Sequence, residues 1–351
     1  MKNSILAVNL RNMNDKIEIT DKYKRNQTLI VVEGKFEKNI IMMMLGICFP
    51  EMSLEMSNIH IYGAKIYDLY HMIELEYGRD WFEQELEINI PYLISKKFKL
   101  YPHLDRRNFT NIILIFDYER HDILYSYDKI LKMQKHFSNV SEDGILYINY
   151  PMIESFVHMD KIPDDFYIDR KVSVKCRPGK VYKNIAKQNS VVNKYFYAYK
   201  KIIGYLKEYI DESAIHKGVF DIFKCADKSN INLYLEDCLK EMNINETYRH
   251  ELSLKISSQL IKLGYLDENI SFLEKLRSMM VYVALCNIKK AWTIQEKIKS
   301  NECSKECYEK INWEKILKEQ NMLSKDEENG YIWVLCSCIT FLGEFKFLWN
   351  N

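Results

Sequence analysis

The sequence predicts an α/β fold, in which a mostly parallel sheet flanked by helices is followed by an α-helical C-terminal domain. Short apolar, β-branched runs alternate with amphipathic stretches up to about residue 150. Beyond about residue 185 the helical periodicity dominates. Only 11 glycines and 6 prolines occur in 351 residues, which disfavours a turn-rich all-β design, and the 47% apolar content is enough for a sizeable core.

The first half of the chain is expected to alternate strand and helix. The predicted strands are 28–33, 58–64, 111–117 and 145–150, and the predicted helices between them are 36–46, 65–77 and 124–137. Residues 80–107 have the character of an insertion. Such alternation predicts parallel strands, whose carboxyl ends share one edge of the sheet, and ligands bind outside that edge.

The second half is expected to be helical. Long amphipathic stretches cover 189–211, 230–241, 247–263, 268–299, 310–320 and 330–348. Within the last stretch, the run "IWVLCSCITF" is ambiguous between helix and strand. The predicted division is therefore an α/β domain over 1–165 and a basic segment with an α-helical domain over 166–351, joined at a packed boundary.

Composition and charge narrow the class of protein. The formal charge of +1 gives no global field that would mark a nucleic-acid binder, so any such surface must be local. Neither a signal peptide nor an apolar run of 18 residues is apparent, which indicates a cytoplasmic protein without membrane spans.

The nine cysteines are expected to be buried thiols. A zinc site of Cys303, Cys307, Cys336 and Cys338 is the less favoured alternative, because the spacing is not C-x-x-C.

Carboxylates follow the predicted strands at the edge where ligands bind. Glu33 ends the first predicted strand, Asp117 ends the third, Glu119 comes two residues later, and Glu154 lies four residues beyond the fourth. Converging carboxylates repel one another unless a cation is present, and Mg²⁺ or Mn²⁺ takes oxygen ligands of this kind. Lys35 begins the next helix, where an ammonium and free amide groups can hold a phosphate.

Other polar residues near these positions have less specific roles. Asp122 is expected to cap the helix beginning near Leu124. Glu37 suits both a helix N-terminus and a metal site. His121 and His158 flank the acidic motifs, and a structural role is favoured for both over a role as a base.

Two motifs, "IVVEGKFEKN" and "ILIFDYERHD", together resemble the TOPRIM domain of topoisomerases, bacterial primases, recombination mediators and OLD nucleases. The family places a glutamate after its first strand and Asp-x-Asp after a later one; here Glu119 replaces the second aspartate, which puts the metal geometry in question. "YPMIESF" is similar to an element of TOPRIM nucleases in abortive-infection and PARIS-type phage defence. The resemblance spans roughly 28–160 and implies catalytic roles for Glu33, Lys35, Asp117 and Glu119, with Glu154 as a further metal ligand.

A basic segment follows the last predicted strand. Residues 170–201 contain ten lysines and arginines and no acidic residue, with five aromatic residues among 182–199. Such a segment suits a phosphate backbone and unpaired bases, and the expected nucleic-acid contacts are Arg177, Lys180, Lys183 and Lys187. The alternative is a basic surface whose aromatic residues face the core.

The sequence therefore predicts a metal-dependent TOPRIM nuclease, a phosphodiester hydrolase of DNA or RNA, with tRNA among the candidate substrates. The resemblance implies the toxin effector of an anti-phage abortive-infection system, acting as a homodimer with an ABC-type ATPase that senses infection. Two alternatives stay open: a housekeeping TOPRIM enzyme of replication or repair, and a non-catalytic binding module for a partner ATPase. The acidic positions all remain in order, which favours an enzyme.

Overall fold

The structure, a computed structural model, describes residues 27–176, 180–225, 230–263, 270–299 and 303–349. Its strands are β1 (Gln27–Val32), β2 (Ile59–Ile61), β3 (Phe109–Asp117), β4 (Ser138–Asn139), β5 (Gly144–Asn149), β6 (Lys171–Ser173) and β7 (Tyr331–Trp333). Its helices are α1 (Met43–Cys48, preceded by a π-helical turn over Glu37–Met42), α2 (Ile66–Tyr77), α3 (Ile90–Phe98), α4 (Tyr127–His136), α5 (Lys180–Gln188), α6 (Val191–Leu206), α7 (Glu212–Phe223), α8 (Ile231–Glu241), α9 (Glu246–Lys262), α10 (Phe272–Glu296), α11 (Lys305–Glu309) and α12 (Trp313–Leu323).

Five strands form one sheet in the order β2-β1-β3-β5-β4. The first four strands of this order run parallel, and only the short β4 pairs antiparallel with β5. The central strands are almost continuously apolar because helices cover both faces of the sheet. The predicted α/β class with a mostly parallel sheet is confirmed.

The direction of the chain across the sheet reverses at β1. From β1 the chain passes to β2 on one side, and from β2 it crosses to β3 on the other side of β1. In open parallel sheets such a reversal opens a crevice at the carboxyl ends of the two strands concerned. Glu33 and Asp117 stand at this crevice, because they follow β1 and end β3.

The predicted helical character of the second half is confirmed for α6, α8, α9, α10 and α12. The starts of α6, α9, α10 and α12 carry side-chain caps at Ser190, Asn245, Ser271 and Asn312, which satisfy free backbone amides of the first turn. No helix within the described ranges is both long and apolar enough to cross a bilayer.

The predicted helix over 330–348 is wrong. This segment forms β7, which pairs antiparallel with β6, and then two short 3₁₀ turns. Tyr150 and Leu335 exchange backbone hydrogen bonds of 2.8 Å, and Ser337 Oγ donates to Ile148 O at 2.7 Å. The segment is buried on nearly all sides, and a run that is apolar throughout shows no period by which strand and helix can be told apart.

The aromatic residues near the C-terminus pack within the chain. Phe341 is buried, and Phe347 stacks on Phe49 with 4.6 Å between ring centroids. Trp333, Phe345 and Trp349 are partly buried against the same core. These rings therefore contribute to the core.

Candidate metal centre

Three carboxylates meet at the crevice between β1 and β3. One carboxylate oxygen each of Glu33, Asp117 and Glu119 lies within 4.8 Å of the other two. The convergence expected from the strand ends is therefore observed. It follows from the parallel pairing of β1 with β3, which places Val32 opposite Ile115 and brings the next residues to the same edge.

Backbone hydrogen bonds hold two of these carboxylates in position. Asp117 N donates to Glu33 Oε2 at 3.0 Å, and Ile153 N donates to Asp117 Oδ1 at 2.8 Å. Glu33 N in turn donates to Ile115 O at 3.1 Å, which continues the sheet pairing beyond β1. The two acids are thus oriented by the sheet and by the turn after β5, and neither depends on a mobile side-chain partner.

Glu119 reaches the centre from an unusual backbone conformation. Its φ is +46°, in the left-handed region that residues other than glycine seldom adopt. Lys65 Nζ lies 3.2 Å from Glu119 Oε2 and also contacts the Asp122 carboxylate. Strained conformations of this kind persist where the surroundings fix them, and here the lysine fixes the end of the side chain.

The electrostatics of the cluster favour an added cation. Burial raises the pKa of Glu33 to about 8, opposed by the Asp117 N–H and reinforced by the Glu119 carboxylate. Burial and then the Glu33 carboxylate raise the pKa of Asp117. Repulsion and desolvation of this kind are relieved when a divalent cation binds between the oxygens.

Glu37 is a fourth acid beside the cluster. It is only 3% exposed, and burial, with a contribution from Glu154, raises the pKa of its carboxyl group. A Cβ atom at Gly34 would stand 3.1 Å from Glu37 Oε2, so the glycine allows this close approach. The buried carboxylate contributes to the field at the centre in addition to its place at the start of the helical turn.

Glu154 lies on the wall of the same cleft and outside the group of three. Its side chain is 2% exposed, and its Oε1 lies 3.4 Å from Lys183 Nζ and 3.3 Å from Lys187 Nζ. Its Oε2 is buried and has no hydrogen-bond partner among the described residues. The structure therefore shows the predicted ligand as a carboxylate whose one oxygen pairs with two lysines of α5 and whose other oxygen is buried.

The cleft formed by these acids has a volume of about 440 Å³. Lys35 is exposed at its edge, and Lys65 and Lys183 also line it. Acids at the centre with lysines at the rim suit a phosphate group approaching a bound cation. A larger cleft of about 880 Å³ lies at the start of β3, far along the strand from Asp117, and contains no comparable group of metal ligands within the described ranges.

Of the four residues expected to contact nucleic acid, the structure describes the side chains of Lys183 and Lys187. Arg177 lies outside the described residues, and Lys180 begins α5 with a side chain that is not described. Lys183 and Lys187 are partly exposed and pair with Glu154. Among the interleaved aromatic residues, Tyr182, Phe196 and Tyr199 are buried, Tyr195 is partly buried and Tyr197 is exposed. The alternative in which the rings face the core therefore holds for most of them.

The neighbouring polar residues differ in their surroundings. His158 is buried, its Nδ1 lies 3.2 Å from Tyr182 Oη, and burial lowers its pKa to about 4. His121 is exposed. The expectation that Asp122 caps the next helix is wrong, because α4 begins at Tyr127 and is capped by Ser126; Asp122 instead accepts from Leu124 N at 2.7 Å and pairs with Lys65.

The zinc alternative is not supported by the structure. Cys336 and Cys338 are buried with their Sγ atoms 3.5 Å apart, whereas Cys303 Sγ lies 3.5 Å from Leu285 O. Within the part of the chain that the structure describes, the three carboxylates form the only group of three or more potential metal ligands. The cysteines are thiols of the core and its margin.

Sequence reasoning missed Lys65. It follows β2 by a few residues and therefore lies at the same sheet edge as the acids. The rule that located Glu33 and Asp117 also applies to the end of β2, so this lysine could have been found.

Comparisons with protein-family models, with curated proteins and with solved structures each give no match for the chain.

Proposed function

We propose that the protein is a metal-dependent nuclease that hydrolyses phosphodiester bonds of DNA or RNA. The observation that carries this proposal is the meeting of Glu33, Asp117 and Glu119 within 4.8 Å at the crevice between β1 and β3. Buried acids with raised pKa values at such a position are typical of functional sites.

The residues present fit a hard divalent cation. The donor set consists of carboxylate oxygens alone, and the buried Glu154 Oε2 nearby has no hydrogen-bond partner among the described residues. Glu33, Asp117 and Glu119 would hold Mg²⁺ or Mn²⁺, with Glu154 as a further candidate ligand. Such a cation, when bound, activates water and stabilises the charge of a phosphodiester transition state.

The chain's own residues supply orientation and charge. The Asp117 amide fixes one oxygen of Glu33, and Lys65 fixes Glu119. Lys35 at the mouth of the cleft and Lys183 on its wall are placed to hold the oxygens of a phosphate group. Glu33 and Asp117, whose pKa values are raised, must lose protons before a cation binds.

The resemblance of the two acidic motifs to TOPRIM nucleases gives the biological setting of the proposal. The protein would be a toxic effector of phage defence that works as a homodimer with an ABC-type ATPase. A housekeeping role in replication or repair uses the same chemistry. The remaining alternative, a non-catalytic binding module, does not use this chemistry. Such a module requires neither metal binding nor cleavage.

The test is cleavage by purified protein. Labelled tRNA, single-stranded RNA and plasmid DNA are incubated with Mg²⁺ or Mn²⁺, with EDTA as the metal-free reference. Glu33→Gln and Asp117→Asn should each lower the cleavage rate at least about 100-fold, since each removes a charged metal ligand. Glu327→Gln, at an exposed position away from the cleft, is the matched control and should cleave like the wild type.

Two results would contradict the proposal. Cleavage that persists equally in Glu33→Gln and in EDTA would point to a contaminant or to another site. Absence of metal binding by calorimetry in the wild-type protein, together with absence of cleavage, would favour the binding module.

A further inference from the structure

A second basic and aromatic surface lies in the insertion between α2 and β3. The stretch "KKFKLYPHLDRR" covers residues 96–107 and contains five lysines and arginines but a single acid, Asp105. We call residues 96–107 the aromatic-basic loop. It belongs to the first half of the chain, apart from the basic segment of residues 170–201.

The rings of this loop face solvent. Tyr101 is 82% exposed and Phe98 is 38% exposed, and His103 is also exposed. The rings of Tyr101 and His103 have centroids 4.8 Å apart, and Phe98 stacks against His60 of β2 at 6.2 Å. Exposed rings beside one another are the arrangement on which unpaired bases stack.

The loop is held in one conformation although its rings are exposed. Leu100 N donates to Ser95 O at 2.9 Å, and Leu104 N donates to Ser95 Oγ at 2.6 Å. Ser95 is fully buried in the last turn of α3, so the backbone at Leu100 and at Leu104 is bonded to one residue of the core. A backbone that is already fixed loses little conformational freedom when a ligand binds.

The charges of the loop complement a polyanion. Lys97 and Lys99 are exposed, while Lys96 pairs with Glu76 and Arg107 pairs with Asp105. Two exposed ammonium groups thus flank Phe98 and precede Tyr101. Cations at this spacing beside aromatic rings suit a sugar-phosphate backbone whose bases are unpaired.

The loop adjoins the carboxylates through β2. Lys97 Nζ lies 3.8 Å from the ring centroid of Tyr62. Tyr62 N donates to Val32 O at 2.7 Å, and Gly63 N donates to Glu33 O at 3.0 Å. Lys97 therefore packs on the residue that precedes Gly63, the backbone partner of Glu33, at the carboxyl end of β2.

We propose that the aromatic-basic loop binds single-stranded nucleic acid, with bases stacked on Tyr101 and His103 and phosphates held by Lys97 and Lys99. The bound strand leads past Tyr62 toward the cleft of Glu33 and Asp117. Only this last step, delivery of the strand to a cleavage site, rests on the proposed nuclease function.

The experiment measures binding without cleavage. A fluorescein-labelled 20-nucleotide RNA of mixed sequence, the equivalent DNA strand and a 20-base-pair duplex are titrated with full-length protein in EDTA, and anisotropy is followed at several salt concentrations. The aromatic variant is Tyr101→Ala with His103→Ala, and the charge variant is Lys97→Ala with Lys99→Ala. The matched controls are Tyr248→Ala, which truncates another exposed ring, and Lys240→Ala with Lys262→Ala, which removes two exposed charges.

The aromatic variant and the charge variant should change different properties of binding. The aromatic variant should weaken single-strand binding about 5- to 100-fold and leave its salt dependence unchanged. The charge variant should lower the slope of log Kd against log salt by about 1.4, since each single-strand phosphate contact contributes about 0.7. Both controls should bind like the wild type.

The proposal is overturned by wild-type protein that fails to bind either single strand, by an aromatic variant that binds normally, or by duplex bound as tightly as single strand through the same residues.

Failure of the loop proposal can be distinguished from failure of the nuclease proposal. Cleavage abolished in Glu33→Gln but unchanged in the aromatic and charge variants would retain the nuclease and reject delivery of the strand by the loop. Binding lost in the loop variants of a protein that cleaves nothing would retain the loop and reject the nuclease.

Discussion

Burial shifts the protonation of Glu33 in the folded protein. Its pKa is raised by burial from 4.5 in the unfolded chain to about 8 in the folded protein. A group raised in this way contributes stability that is fully present below about pH 4.5 and is lost as the pH rises through about 8. The raised pKa values of Asp117 and Glu37 act in the same direction.

We therefore expect metal-free protein to lose stability between pH 5 and pH 8.5. Glu33→Gln should reduce this loss and be more stable than the wild type at pH 8, by on the order of 1 kcal/mol, because it removes a charge from a repelling cluster. Thermal unfolding in EDTA across this pH range measures both effects. Two results would contradict mutual repulsion among these carboxylates. One is a wild-type stability that increases with pH over the same interval, and the other is a Glu33→Gln stability that depends on pH as strongly as that of the wild type.

At the scale of secondary-structure elements, α5 is attached to the cleft by a buried carboxylate. Lys183 and Lys187 stand one turn apart on this helix, and both reach Glu154 Oε1. Their side chains are 43% and 33% exposed, whereas that of Glu154 is 2% exposed. Removing the lysines leaves a buried charge without its partners, which costs more than the pair itself contributes.

We expect Lys183→Gln with Lys187→Gln to lower the free energy of unfolding by roughly 1–3 kcal/mol at neutral pH. Adding Glu154→Gln to this variant should recover most of the loss, because the charge that lacks partners is then gone. Urea unfolding of the wild type, the lysine variant, Glu154→Gln and the triple variant gives the coupling between the two sites. Strictly additive effects would mean that the ion pairs seen in the structure do not contribute.

At the scale of the whole molecule, cation binding and stability should be linked. A ligand that binds only the folded state raises its stability, and here binding requires Glu33 and Asp117 to lose protons. We expect Mg²⁺ or Mn²⁺ to raise the melting temperature more at pH 8 than at pH 6. EDTA should reverse the effect, and Asp117→Asn should abolish it. An equal rise of the melting temperature at both pH values would indicate weak binding of the cation at exposed carboxylates elsewhere. Glu327→Gln, which removes one such exposed carboxylate, serves as the comparison variant.

The homodimer stays a prediction at this scale. The aromatic residues of the C-terminal segment pack inside the chain, so a two-fold interface would have to use the outer faces of the helical half. Light scattering at micromolar concentration should give twice the mass of the 42.1 kDa chain. A strictly monomeric species would refute the dimer and leave the metal centre untouched.

The sequence by itself determined the parallel sheet and the acids at its edge. Buried strands that alternate with helices predict parallel pairing, and residues that follow parallel strands share an edge, so Glu33 and Asp117 could be placed together without coordinates. The same local signals located most helices of the second half, because amphipathic periodicity and capping residues are short-range properties.

Only the tertiary structure decided the partners of the other residues. Glu154 proved to pair with α5, Lys65 joined Glu119 to Asp122, and the segment at 331–333 became a strand against β6. Each of these depends on contacts between residues far apart in the chain, which periodicity does not encode. The aromatic residues of the basic segment show the same limit, since whether Tyr182 and Tyr199 face a base or the core is fixed by what packs over them.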